Sequence, residues 1–292
     1  MGFFQTLFKK KIPKTDVKQR FELIGRVGQG SMSKVWRARD RMTGRPVALK
    51  VLDREQTRKF EARFQGGTKP KEGEVAVQLD HPGIVKTFEH GITTDDLQYL
   101  VMEFVEGYGL SFYVDAQNAT MKEHRLRLMI ELGEAIAYLH EKNFIHRDIC
   151  PRNVIVSEDH HVKLIDFGLV VPNTPEFRRP GNRTGTANYM APELIRRQPT
   201  DQRIDVFSYA VTCYEMCTKR LPWESAKSLE AIMQHLNSPP VDIREIAPDL
   251  DEGIAQTIMK GIEVDRQLRW QSAREMANAF RAVHERLEPA AT

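Results

Sequence analysis

The chain has 292 residues, 41% of them apolar, with 43 Lys and Arg against 40 Asp and Glu. That length and apolar content supply one large core or two joined smaller ones, and point away from a fibre or a chain disordered as a whole. A net charge of +3 is too even to argue for nucleic acid as a partner. The three cysteines, Cys150, Cys213 and Cys217, are an odd number without zinc-ligand spacing and fit a reducing compartment, with Cys213 and Cys217 read as small buried apolar side chains.

The first residues, Met1 to Phe8, are mainly apolar and are followed by Lys9, Lys10, Lys11 and Lys14. No signal peptide with a cleavage site and no apolar run of transmembrane length is present, so the expected location is cytoplasmic. Residues 1–14 suit a peripheral contact with an anionic membrane, and Gly2 to Thr6 matches a loose myristoylation spacing that Phe3 argues against. The reading preferred over membrane contact is a tail that packs on the protein or is disordered.

From Phe21 to Met102 short β-type runs alternate with turns: Phe21 to Val27, Lys34 to Arg39, Pro46 to Leu52, Ile84 to His90 and Gln98 to Met102, an antiparallel sheet. Between the third and fourth runs, Lys71 to Leu79 is a candidate helix entered through Gly66, Gly67 and Pro70. After Gly107 and Gly109 the period becomes helical. Leu126, Met129, Ile130, Gly133, Ile136, Ala137 and Leu139 form one stripe, followed by Val206 to Met216, Ile254 to Ile262 and Ala273 to Leu287. The expected architecture is α+β, with a small antiparallel β-rich lobe bearing one helix, a larger mainly helical lobe, and a cleft between them.

Four motifs stand in fixed order. In Gly28-Gln29-Gly30-Ser31-Met32-Ser33 a glycine-containing hairpin lets backbone N–H groups approach phosphate oxygens; strand rather than helix follows, so a dinucleotide fold does not fit. Lys50 lies in an apolar run, where an ammonium needs a carboxylate and a phosphate. Glu72 is the first candidate carboxylate and Glu74 the second. His146-Arg147-Asp148 with Asn153 supplies a proton acceptor and an amide ligand, and Asp166-Phe167-Gly168 a carboxylate ligand. Together these groups suit movement of a phosphoryl group out of ATP with Mg²⁺, or Mn²⁺, as the cation. Asp and Asn as mere turn caps would suffice for any one position, but not for the whole spacing with two apolar strands, Val154 to Val156 and Val162 to Ile165, inside it.

From about Phe21 to Leu287 the chain resembles the eukaryotic-type (Hanks-type) protein kinases, serine/threonine branch, with a compactness similar to bacterial members. Ala191-Pro192-Glu193, Asp205-Val206-Phe207-Ser208 and Arg269, placed like the arginine that pairs with Glu193, extend the match. The resemblance implies the bilobal kinase fold: a tail over 1–20, a kinase domain over 21–288 (N-lobe 21–103, hinge 104–107, C-lobe 108–288) and a C-terminal tail over 289–292. It implies that Val27, Gly28, Gly30, Val35, Ala48, Lys50, Glu72, Met102, Glu103, Val105 and Ile155 hold ATP. Asn153 and Asp166 would be the metal ligands. Asp148, Lys50, Arg152 and Thr186 would serve catalysis, and protein substrates would be the partners.

Two departures matter. Ser33 replaces the usual third glycine, and Cys150 stands where the serine/threonine members carry a phosphate-neutralising Lys. Arg152, at the position where many tyrosine kinases of the superfamily carry a compensating Arg, is the expected substitute. Gly185-Thr186-Ala187-Asn188-Tyr189 resembles the serine/threonine acceptor stretch, with Thr186 expected to bond Asp148. Within the segment from Asp166 to Glu193, Thr184 beside Arg183, Arg178 and Arg179 is a candidate phosphosite for Arg147 to bind; a solvated basic loop is the equal alternative. The rival functions are a pseudokinase scaffold, favoured by Cys150 and Ser33, and a small-molecule kinase, disfavoured by Ala191-Pro192-Glu193.

Overall fold

Alternation along Pro46–Leu52 sends Val47 and Leu49 into one apolar cluster with Phe21, Ala38, Tyr99 and Val101, and turns Lys50 to the opposite face of the same strand. This cluster is the core of the first of two units in a computed structural model that describes residues 14–29, 33–62, 69–181, 183–223 and 238–288. The first unit comprises the described residues of Met1–Ala62 and Thr87–Phe104, the second those of Arg63–Lys86 and Val105–Thr292.

The first unit is a six-stranded sheet of β1 (Lys14–Thr15), β2 (Phe21–Gln29), β3 (Ser33–Asp40), β4 (Pro46–Leu52), β5 (Thr87–Thr93) and β6 (Gln98–Glu103), ordered β1-β5-β6-β4-β3-β2. Helices α1 (Val17–Arg20) and α2 (Arg54–Glu61) accompany it. All pairings are antiparallel except β1 with β5, which is parallel. Residues 14–20, inside the stretch read as a tail, therefore belong to the sheet unit. Arg20 fastens them: its guanidinium donates to Asp40 (3.0 and 3.3 Å) and to Glu89 (2.6 and 3.0 Å), while Tyr99 Oη donates to Glu89 at 3.1 Å. Burial pushes the Asp40 carboxyl up, but the Arg20 hydrogen bonds, the Met42 N–H and the Arg20 charge together outweigh it and hold the group below its ordinary range.

The second unit begins with the short helix α3 (Glu72–Ala76) and carries β7 (Gly107–Gly109), β8 (Phe144–Ile145), β9 (Val154–Ser157), β10 (Val162–Leu164) and β11 (Val171–Pro172), paired as β10-β9-β7 and β11-β8. Its helices are α4 (Leu110–Ala116), α5 (Ala119–Glu141), α6 (Pro192–Ile195), α7 (Arg203–Thr218), α8 (Ile243–Ile246), α9 (Glu252–Gly261) and α10 (Ala273–Leu287). Asn118 and Ser272 cap α5 and α10 by accepting the N–H of Met121 and Glu275. Helix α10 packs on α5, with Met276, Ala277 and Phe280 of α10 all buried. Gly133 is required there, because a Cβ would stand 2.5 Å from Tyr209 Oη and 2.8 Å from Ala277 Cβ. Gly107, at φ +150°, lets β7 lie against β9, where a Cβ would meet the Val156 carbonyl at 2.1 Å.

Three expectations are corrected. The fourth strand runs Thr87–Thr93 rather than from Ile84, because Ile84 and Val85 are used elsewhere: Ile84 bridges Leu164, and Val85 N–H donates to the Leu164 carbonyl at 3.0 Å. The helix expected over 71–79 is confined to Glu72–Ala76. Helix α2 was not foreseen, and the sheet is mixed at β1 rather than wholly antiparallel. Cys150, Cys213 and Cys217 are free and buried, the last two as expected of small apolar side chains.

Candidate active site

The loop that carries Asp148 hangs from Asp205, a fully buried carboxylate in the first turn of α7. Asp205 accepts the backbone N–H of His146 at 2.7 Å and of Arg147 at 2.8 Å, and pairs with His140 Nε2 at 2.9 Å. Burial raises the Asp205 pKa, but the bond and charge of His140 and the Arg147 N–H lower it further, so the group stays ionised. Burial also pushes His146 below its ordinary value, consistent with a neutral ring whose Nδ1 accepts the Asp148 N–H at 3.3 Å. Arg147 sits at φ +71°, a strained turn that these buried bonds hold.

Asp148 is then fixed on both oxygens. Oδ1 accepts the Thr186 backbone N–H at 2.7 Å and Oδ2 accepts Asn153 Nδ2 at 2.9 Å, the same nitrogen donating to the Asp148 carbonyl at 2.8 Å. Thr186 thus bonds Asp148 through its backbone. Its hydroxyl instead receives Arg152 Nη2 at 3.3 Å and lies 3.6 Å from Cys150 Sγ. This geometry needs Gly185 at φ +122°, because a Cβ there would stand 2.5 Å from the Arg147 carbonyl. Burial first, and the Asp148 charge second, raise the Cys150 pKa, so the group is a neutral thiol and Arg152 is the cation beside Thr186.

Asn153 ends this loop and its carbonyl accepts the Ile165 N–H at 2.9 Å, joining it to Asp166. Asp166 is exposed, at φ +65°, and its Oδ1 accepts the Gly168 N–H at 3.1 Å. Phe167 is buried with its ring edge-on to His146 at 5.6 Å. Because the amide nitrogen of Asn153 is engaged by Asp148, its carbonyl oxygen is the remaining side-chain ligand atom. An amide oxygen and a carboxylate are hard donors. Among the described residues no group of three His, Cys, Asp or Glu side chains gathers as a metal cage. Two oxygen ligands without a cage suit Mg²⁺, which keeps waters and phosphate oxygens around it.

In the first unit, Lys50 is only 5% exposed and stands between Val35 of β3 and Leu100 of β6 in the sheet register. In the second, Glu72 is buried, whereas Glu74 is exposed and spent on the helix entry, its Oε2 accepting the Lys71 N–H at 3.0 Å. Gly28 pairs with Val35 in the strand register; Gly30 lies outside the described residues, as do residues 1–13, Gly66, Gly67 and 289–292. Val27 is 53% exposed, Met102 is buried, and Val35, Ala48, Glu103, Val105 and Ile155 are half-buried.

Beyond Asp166, Thr184 is buried and its hydroxyl has no hydrogen-bond partner. The arginines expected near a phosphate there have protein partners: Arg178 donates to the Asn173 side chain at 2.8 Å and carbonyl at 3.2 Å, and Arg183 to the Ile195 carbonyl at 2.6 Å. Sequence reasoning did not find Lys69, whose ammonium donates to the Gly168 carbonyl, or the Tyr189 hydroxyl donating to Glu215. The bidentate pair of Arg269 with Glu193 forms as expected, both bonds 2.8 Å and both side chains buried.

Comparison with known proteins agrees with this arrangement. The protein kinase domain model matches residues 21–280. The chain is 31% identical to a probable serine/threonine-protein kinase of Clostridium perfringens over 88% of its own length and 37% of the relative's. It is 28% identical to serine/threonine-protein kinase PrkC of Bacillus subtilis (88% and 39%), and 29% identical to serine/threonine-protein kinase PknB of Mycobacterium leprae (93% and 44%). The chain therefore spans about two fifths of the length of these curated relatives. The family uses ATP and a divalent cation, and among the described residues no helix is long and apolar enough to cross a membrane. With its α+β fold and the matched domain covering most of its length, this chain belongs to the protein kinase family.

Proposed function

We propose that the chain transfers the γ-phosphoryl group of ATP to Ser or Thr hydroxyls of protein substrates, itself included. The observation that carries this reading is the fixed carboxylate of Asp148, held by Thr186 N–H and Asn153 Nδ2 in a polar, half-buried setting. Held on both oxygens, it is oriented to accept a hydroxyl proton or to aim that hydroxyl at the γ-phosphorus. The names of the bacterial relatives support Ser/Thr as the acceptor.

In this reading Asn153 and Asp166 are the protein ligands of Mg²⁺ or Mn²⁺, and a bound divalent cation supplies neutralisation of phosphate charge. Lys50 holds the phosphates, with Glu72 as its carboxylate. Val27, Gly28 and Gly30 cover the phosphate side of the nucleotide, Val35, Ala48, Met102 and Ile155 line its base, and the backbone of Glu103 and Val105 bonds the adenine edge. Arg152 provides the positive charge that neutral Cys150 does not, and its bond to the hydroxyl of Thr186, the residue whose N–H holds Asp148, supports that role. We assign 21–288 as the kinase domain, with residues 14–20 joined to its sheet, and a cytoplasmic location, with the basic, apolar stretch 1–14 a candidate for contact with anionic membranes.

The pseudokinase alternative rests on Cys150 and Ser33, and the retained Lys50, Asp148, Asn153 and Asp166 argue against it. Single-turnover transfer from labelled ATP to a generic basic protein tests the reading. Arg152→Ala is expected to lower the rate by roughly a hundredfold, as loss of one electrostatic stabiliser does. An Arg152→Ala enzyme with wild-type turnover would refute the substitution of Arg152 for lysine.

A further inference from the structure

Lys69 is a buried lysine, 9% exposed, that the reaction as described does not use. An ammonium withdrawn from water needs acceptors, and one of those found here is the carbonyl of Gly168, 2.8 Å from Nζ. The same glycine is committed on its other side, where its N–H donates to Asp166 Oδ1 at 3.1 Å. Gly168 is therefore clamped between Lys69 and the carboxylate of Asp166.

The clamp matters because Asp166 stands at φ +65°, a conformation that a non-glycine residue keeps only when its surroundings hold it. Asp166 is also exposed. Lys69 is suited to the task by its chain position. Pro70 follows it, which steers the Lys69 backbone toward extended geometry and lowers the entropy lost in holding the ammonium in place. Two residues later α3 begins at Glu72.

We propose that Lys69 is a positioning residue of the metal loop: by holding the Gly168 carbonyl it fixes the peptide that orients the Asp166 carboxylate, and so couples the segment leading into Glu72 to the cation-ready form of that loop. This deepens the proposed function and rests on Asp166 as a ligand of the divalent cation. A consequence is that any partner or modification that shifts the segment 69–72 changes the affinity for the cation without touching the nucleotide.

The test compares wild type with Lys69→Met, which keeps length and loses the donor, and Lys69→Arg, which keeps a donor. Hydrogen exchange over residues 166–170 is read in chelator without nucleotide, alongside the Mg²⁺ concentration for half-maximal turnover at saturating ATP and the KM for a peptide acceptor. Loss of a hydrogen bond from a charged donor corresponds to about a tenfold change in equilibrium. Lys69→Met is therefore expected to speed exchange at 166–170 about tenfold and to raise the Mg²⁺ requirement by a similar factor, with peptide KM unchanged and Lys69→Arg restoring most of both. Wild-type exchange and Mg²⁺ dependence in Lys69→Met would overturn the proposal. So would faster exchange spread evenly over the protein, which marks a merely structural role. If Lys69→Met does not fold, Lys69→Leu, which also lacks a donor, is read the same way. An Asp166→Asn control separates the two layers: unchanged Mg²⁺ dependence in that variant refutes the metal assignment, while the exchange result still decides whether Lys69 holds the loop.

Discussion

The loop of residues 146–153 and the loop of residues 166–168 receive different kinds of support. The first is suspended from Asp205, a carboxylate inside a 16-residue helix that is buried along most of its length. The second is clamped by the side chain of Lys69, two residues before Lys71, the N-cap of a five-residue helix. In the proposed function, the proton acceptor hangs from a long, mostly buried helix of the second unit, and the cation ligand is tied to the segment that leads into a five-residue helix. On the proposed roles, the difference predicts an acceptor loop that is harder to displace than the cation loop.

The largest break in this comparison comes from removing the deeper support. Asp205→Ala leaves two buried backbone N–H groups and His140 without their acceptor and is expected to destabilise the protein by about 3–5 kcal/mol. Thermal unfolding, which falls a few degrees per kcal/mol in a chain of this size, should show a drop of about 10 °C, with turnover reduced at least ~100-fold. Glu193→Gln, which breaks the buried pair with Arg269 away from both loops, should approach the same loss of stability, about 3 kcal/mol, in denaturant unfolding.

Gly185→Ala acts on the first loop alone. Its φ of +122° and the 2.5 Å approach to the Arg147 carbonyl predict strain of about 1–3 kcal/mol and a displaced Thr186 N–H, read as a turnover loss of about tenfold or more. The smallest effect is that of pH. Burial lowers the His146 pKa from 6.5, so above that value the ring is neutral in both folded and unfolded chains and no stability is lost. Below it the unfolded chain takes up a proton that the fold resists, and stability declines as pH falls, by at most about 1.4 kcal/mol per unit from this one group. In His146→Leu the part of the slope of unfolding free energy between pH 6.5 and 5 that belongs to this residue should vanish.

What the sequence made legible follows periodicity and spacing. Strand Pro46–Leu52 and helix Ala273–Leu287 were read to the residue, because alternation in one and the helical stripe with its Ser272 cap in the other are local signals. The pairing of Arg269 with Glu193 was legible only through resemblance, since 76 positions separate them. Helix Arg54–Glu61 was missed because it has almost no apolar stripe, although Asp53, whose carboxylate accepts the Gln56 N–H at 2.9 Å, was a capping signal in plain view. Ile84 and Val85 looked like strand because an apolar run does not reveal which partner buries it. Thr186 was expected to reach Asp148, but spacing does not tell a hydroxyl from a backbone N–H. Lys69 carried no signal at all: a lysine before a proline reads as surface until the fold brings Gly168 to it.

The central claim is that Asp148 orients a protein hydroxyl for attack on ATP. Its most direct test is transfer of labelled phosphate from ATP in Mg²⁺ to a basic protein acceptor, followed by identification of the labelled amino acid, with Asp148→Asn alongside. The account predicts phosphoserine or phosphothreonine from the wild type and almost none from the variant, with both proteins equally folded. Equal labelling by the two proteins, or no transfer by the folded wild type, would contradict it.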